Sequence, residues 1–136
     1  MKYLVDANVL TEATKPTPNP AVVSWLREHE TELAVDTIIL GEVRLGILLL
    51  AQGRRRKRLE QWFDEGVKRL TCVPFDGESG LRWAALLAKL RSRGQSMPVK
   101  DSLIAATALA HGLTVVTKNR VDFKKAGVTI VDPFQE

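Results

Sequence analysis

A single cysteine, Cys72, stands among the 136 residues, so no internal disulfide can staple the chain and nothing calls for an oxidising compartment. Its setting in Thr71-Cys72-Val73 gives the expectation of a buried structural thiol. Histidine is scarce as well, with two. His29 lies in the polar stretch Glu28-His29-Glu30, and His111 falls at a helix C-terminus where a charge–dipole role is adequate, so a two-histidine ribonuclease finds little support. There is no Gly-rich phosphate loop, no Ser or Cys nucleophile elbow and no Cys/His metal spacing. No apolar run approaches a membrane span, and the opening Met1-Lys2-Tyr3-Leu4-Val5-Asp6 is too short for a signal peptide. A cytoplasmic protein without membrane contact is expected. Repeats, low-complexity tracts and internal linkers are also missing.

What is present fits one domain over residues 1–136, with an apolar fraction of 45% and a charged fraction of 26%. The formal net charge is +4, but five basic residues crowd into Arg54, Arg55, Arg56, Lys57 and Arg58. Without them fifteen basic residues face sixteen acidic ones. The basicity is local, which argues against a generally cationic DNA-coating protein.

Short β-branched or apolar runs alternate with longer helical patterns. Strands are expected at Tyr3-Leu4-Val5, Leu33-Ala34-Val35, Thr71-Cys72-Val73, residues 113–117 and residues 128–131. Pro16, Pro18 and Pro20 mark a stiff loop, with Pro20 opening a helix to about Glu30. Further helices are expected over about 37–52, 54–69 and 78–93, and from Pro98 to Gly112. In the second of these Leu59, Trp62, Phe63 and Val67 have core-facing spacing. Alternation of this kind argues a parallel sheet covered by helices on both faces, a three-layer α/β domain.

Carboxylates occupy positions that resist them. Asp6 ends the first strand at its C-terminal edge, where open parallel sheets bind ligands; helix capping is the bland alternative, although Asn8 can cap on its own. Glu42 shares a helix face with Ile38, Leu45 and Leu49, so it needs a metal or a cation such as Arg44. Asp101 falls in the first turn of the helix behind Pro98, where the dipole alone would favour it. Asn119 and Asp122 follow the fourth strand, and their loop meets Asp6 if strands one and four are neighbours. Asp122 could equally cap a short helix. Together these are oxygen ligands suited to a hard divalent cation such as Mg2+, which activates water and stabilises charge on a phosphodiester.

Three blocks in order, Tyr3-Leu4-Val5-Asp6-Ala7-Asn8-Val9-Leu10, Leu40-Gly41-Glu42-Val43-Arg44-Leu45-Gly46 and Asp101-Ser102-Leu103-Ile104-Ala105-Ala106-Thr107-Ala108 running on to Thr117-Lys118-Asn119, resemble the PIN-domain family and specifically its VapC and FitB-like toxins of type II toxin–antitoxin systems. The resemblance covers essentially the whole chain. It implies an α/β/α sandwich, an endoribonuclease using Mg2+ or Mn2+, and neutralisation by a cognate antitoxin. By position Asp6, Glu42 and Asp101 match the family's core acids, and Thr117 its hydroxyl near the site. The fourth acidic position falls on Asn119, with Asp122 close enough to stand in; one metal ion or two is left open. Relatives often carry Ser where Asp36 stands and Thr where Ile39 stands.

The resemblance further implies that the helical hairpin over about 37–69 grips the antitoxin and supports a homodimer, with operator DNA reached only through the antitoxin complex. The run Arg54 to Arg58 is a candidate for RNA or antitoxin contact, set against a plain solvated helix start. Two other readings stand beside the nuclease. A phosphoryl receiver would use Asp76 and Lys118, but it leaves Glu42 unexplained and lacks paired acids after strand one. A catalytically silent PIN-like module would act only through a partner or operator DNA.

Overall fold

The computed structural model describes residues 1–135; Glu136, the last residue of the expected single domain, lies outside the described residues. Five parallel strands, β1 (Tyr3–Val5), β2 (Leu33–Asp36), β3 (Thr71–Val73), β4 (Thr114–Val116) and β5 (Ile130–Val131), lie in the order β3-β2-β1-β4-β5. The helices are α1 (Ala7–Glu12), α2 (Pro20–Glu28), α3 (Thr37–Leu48), α4 (Arg54–Glu65), α5 (Gly77–Ser92), α6 (Val99–His111) and α7 (Arg120–Lys125). All three residues of β1 are buried, as are Ala34, Val35, Val115 and Val116. Consecutive strand residues point to opposite faces, so burial of both phases means that helices cover the sheet on both sides. The expected α/β/α architecture is the one found.

Strand order reverses at β1, whose neighbours are β2 on one side and β4 on the other. Register pairs Val5 with Val116, so the chain leaves both strands at the same level of the C-terminal edge. The Asp6 amide donates to the Val116 carbonyl at 2.9 Å, and the Thr117 amide to the Val131 carbonyl at 3.0 Å, which carries the ladder one residue past each strand. This is the crevice in which doubly wound sheets hold ligands.

Local chemistry explains the helix boundaries. Asn19 caps α2 through a 2.9 Å bond to the Ala21 amide, with Pro20 at the first helical position. At the end of α6, Gly112 turns at φ +64°, a left-handed conformation that ends the helix and delivers the chain into β4. Asp36 caps α3 through a 2.8 Å bond to the Ile39 amide, and Asp76 caps α5 through the Ser79 amide at 3.0 Å. That gives the carboxylate at position 36 a structural job, and Ile39 beneath it is fully buried.

Several expectations are corrected. Cys72 is exposed, because β3 is the sheet's edge strand and only Val73 of its three residues is buried. The core face of α3 is Ile39, Val43 and Ile47, while Leu45 and Leu49 are 54% and 76% exposed. Glu42 therefore flanks the core stripe instead of lying within it. Helix α3 stops at Leu48, short of Gln52, and α2 stops at Glu28, after which a 3-10 turn over Glu30–Glu32 leads into β2. Gly66 likewise divides α4 from a 3-10 turn over Val67–Arg69. Phe63 and Val67 are buried as expected, and Leu59 and Trp62 pack against the core from its margin.

Candidate active site

Asp6, Asn8, Glu42, Lys100, Asp101 and Asn119 face one cavity of about 300 Å³ at the C-terminal edge of β1 and β4, closed on one side by Pro98. Four chain segments, the first at Asp6 and Asn8 and the last at Asn119, supply them. Asp6 comes from the turn out of β1, Glu42 from the rim of α3, Lys100 and Asp101 from the first turn of α6, and Asn119 from the turn out of β4.

Asp6 is 4% exposed and tightly held. One carboxylate oxygen accepts from the Ala7 amide at 2.8 Å, so Asp6 itself, not Asn8, caps α1. The other accepts from the buried Thr117 hydroxyl at 2.8 Å and from the Asn8 side-chain amide at 3.3 Å. Thr117 in turn accepts from the Asn119 backbone amide at 3.0 Å, and the Asn8 side-chain oxygen accepts from the Lys118 amide at 3.1 Å. Two loops are thus stitched across the strand switch. Burial pushes the Asp6 carboxyl up to about 6 against the Thr117 bond that lowers it, with the charges of Glu42 and Asp101 pushing it further up.

Asp101, buried in the first turn of α6, accepts from the Asn119 side-chain amide at 2.7 Å. The same Asn119 nitrogen donates to Asp122 at 3.0 Å. Asn119 therefore bridges two acids, and Asp122 stands behind it, 3.4 Å from the Lys125 ammonium. Asp122 lies within the first turn of α7 and does not cap it. Burial first, then the Asp122 charge, raises the Asp101 carboxyl. Glu42 pairs with the Lys100 ammonium, and its partner is not Arg44, whose guanidinium lies over the Phe63 ring. The Glu42 contact, ahead of the neighbouring Asp101 and Asp6 charges, raises the Lys100 ammonium.

Sequence reasoning missed Lys100 and gave Asn8 the wrong job. A cation in the first turn of a helix works against the dipole, and that is the signal by which Lys100 could have been found. The site's oxygen donors, with Asp6 and Asp101 raised first by burial, suit a hard divalent cation, and an ammonium already stands against Glu42. Even so, among the described residues no three Asp, Glu, His or Cys side chains are gathered tightly enough to cage an ion as they stand.

The basic run lies outside this cavity. Arg56 is committed to Glu60 at 3.3 Å, whereas Arg55 lines a second hollow of about 420 Å³ between α1, α3 and α4. Ala7, Val43, Ile47, Leu59 and Trp62 give that hollow its apolar wall, and it adjoins the acid cavity through Asn8 and Glu42. The histidines are elsewhere. His29 stacks on Trp25 at 4.2 Å, and His111 lies 3.6 Å from Asp76. Asp76 is a helix cap and takes no part in the cavity, which removes the basis for a phosphoryl receiver.

Residues 3–128 match the family model for the PIN domain. The plasmid stability protein StbB of Pseudomonas syringae pv. tomato is 33% identical over 97% of this chain and 98% of its own. The VapC ribonuclease Y4jK of Sinorhizobium fredii is 31% identical over 97% of each chain. Among solved structures, FitAB bound to an IR36 DNA fragment superposes with a TM-score of 0.91 at 30% identity, covering 97% of this chain and 95% of the other. A parallel sheet with its acids at the β1–β4 switch, and matches of this length, identify the chain as a member of the PIN-domain family.

Proposed function

We propose that the chain is a metal-dependent endoribonuclease toxin, with Asp6, Glu42 and Asp101 as the ligands of Mg2+ or Mn2+. The observation that carries this reading is the convergence of those three carboxylates on one cavity, with Asp6 buried and its carboxyl pushed up to about 6. A carboxylate buried at such cost is poised to gain from a bound cation. When bound, the ion supplies an activated water and charge stabilisation at the scissile phosphate. Thr117 and Asn8 fix the orientation of Asp6, and Asn119 fixes that of Asp101. Asp122 adds negative charge behind Asn119, in keeping with a supporting role. The family resemblance implies that the 3′ oxygen is the leaving group of the water attack, so that the products end in 5′-phosphate and 3′-hydroxyl.

Neutralisation by a cognate antitoxin belongs to the same reading. The apolar hollow beside Glu42 is the surface that suits an antitoxin segment, since its occupant would reach the acid cavity through Asn8. Exposed Leu45 and Leu48 on α3, and Leu49 at its C-cap, are in keeping with a homodimer. Operator DNA would be reached only through the antitoxin complex, and a cytoplasmic setting would suit an RNA target. Among the described residues no helix is long and apolar enough to cross a membrane.

The deciding experiment is cleavage of a mixed tRNA and rRNA pool by wild type and Glu42→Gln, with Mg2+ or Mn2+ against EDTA. Discrete metal-dependent products, lost in the variant, support the nuclease. Mn2+ binding without cleavage points to a narrow RNA substrate missing from the pool. Absence of both would overturn the reading in favour of a silent module.

A further inference from the structure

Lys100 is the one cation among the residues facing the acid cavity. It sits in the first turn of α6, a helix start with no side-chain cap, where the exposed amides and the dipole both disfavour positive charge. Its side chain nevertheless turns onto Glu42 and not out to solvent, although half of it is exposed and free to leave. The buried acids of the cavity compensate the unfavourable helix position. The ammonium thereby holds the very carboxylate that must be free if three acids are to gather round an ion, and among the described residues no such gathering exists while it does so.

We propose that Lys100 is a tethered counter-ion of this site, which neutralises Glu42 until a divalent cation displaces it and then turns to an RNA phosphate beside the cavity. The inference rests on the metal-dependent nuclease reading. The exchange needs no backbone movement, since a lysine side chain of this exposure swings by rotamer changes alone. Once displaced, the ammonium is repelled by the metal and stays tethered at the cavity mouth, where a phosphodiester carrying one negative charge is the available partner. Two effects of opposite sign follow, tighter metal binding and weaker RNA binding when the charge is removed. A lysine remote from the cavity would produce neither.

The test is Mn2+ titration by electron paramagnetic resonance on wild type, Lys100→Met and Lys100→Arg, with Lys118→Met as a control outside the cavity. Lys100→Met should bind Mn2+ about fivefold more tightly, the equivalent of the ~1 kcal/mol of a half-exposed ion pair, while Lys100→Arg and Lys118→Met stay within about twofold of wild type. In Mn2+-supported cleavage Lys100→Met should raise the KM for RNA severalfold, with kcat changed less. An unchanged Mn2+ affinity in Lys100→Met, beside measurable binding by wild type, would overturn this role and leave the nuclease standing. An unchanged KM would overturn it as well. Failure of every variant and of wild type to bind Mn2+ would sink the metal-site reading and this role together. All four proteins should unfold within a few degrees of one another in EDTA, since both lysines lie at the surface.

Discussion

Asp6 shows how a site is built against stability. Its carboxyl is pushed up to about 6 from an ordinary 3.8, a difference worth about 3 kcal/mol against the charged form. Because the folded-state value is the higher one, the folded protein binds the extra proton between about pH 4 and 6. Stability contributed by the protonated form is therefore present below about pH 4 and is lost as pH rises to about 6. Asp6→Asn should abolish metal-dependent cleavage and yet raise the thermal midpoint in EDTA at pH 8, with the gain vanishing at pH 4; parallel melts at the two pH values read this directly. Equal midpoints at pH 8 would mean that Asp6 carries no burial penalty. Thr117 is the counterpart, fully buried and donating to Asp6 at 2.8 Å while accepting from the Asn119 amide. Thr117→Val leaves the Asn119 amide unpartnered and Asp6 with only the longer Asn8 bond on that oxygen, and should cost about 1–3 kcal/mol in urea unfolding at pH 8. Thr117→Ser, which keeps the hydroxyl, should recover most of that loss. These assignments were half legible in the chain. Strand-end position pointed to Asp6 and the helix start to Asp101, whereas Asn119 as a bridge between Asp101 and Asp122 depends on a loop conformation that residue spacing does not report.

Among the elements, α3 carries the clearest lesson. Mean apolarity along Ile38 to Leu50 is so high that periodicity hardly separates a buried face from an exposed one, and Glu42 was read into the apolar stripe it only borders. Contacts with α1, α4, α6 and the sheet choose Ile39, Val43 and Ile47 as the inner face. Ile47→Ala should accordingly destabilise by about 2–5 kcal/mol, whereas Leu45→Gln on the outer face should stay within about 0.5 kcal/mol for the monomer; chemical denaturation of the pair at concentrations where the chain is monomeric tests the orientation of the helix. Comparable losses at both positions would contradict it. Cys72 fails for a related reason. Thr71-Cys72-Val73 has the composition of an inner strand, but whether a strand is central or at the edge depends on partners supplied elsewhere in the chain.

At the scale of the molecule, the acid cavity and the apolar hollow share Asn8 and Glu42, so an occupant of one is a neighbour of the other. An antitoxin segment in the proposed hollow would cover Leu59 and Trp62 beside Glu42. Trp62→Ala should weaken antitoxin binding by tenfold or more, as expected for a central aromatic anchor worth about 2 kcal/mol, while leaving cleavage of free RNA within about twofold of wild type. Calorimetric titration with the cognate antitoxin, run beside a cleavage assay, separates those effects. Parallel losses of binding and activity would show that Trp62 supports the fold and not the hollow.

Alternation of strand and helix, the proline and glycine boundaries, and the acids at strand ends and helix starts were determined by the sequence, because each follows from backbone preference or from the local cost of a charge. Tertiary structure decided the rest. It set β1 beside β4 and so brought Asp6 to Thr117 and Asn119, turned Lys100 onto Glu42 across two helices, and left Cys72 on an edge. Such pairings join residues from 58 to 111 positions apart, and at that separation the contact is chosen by how packed layers meet, which no local pattern encodes.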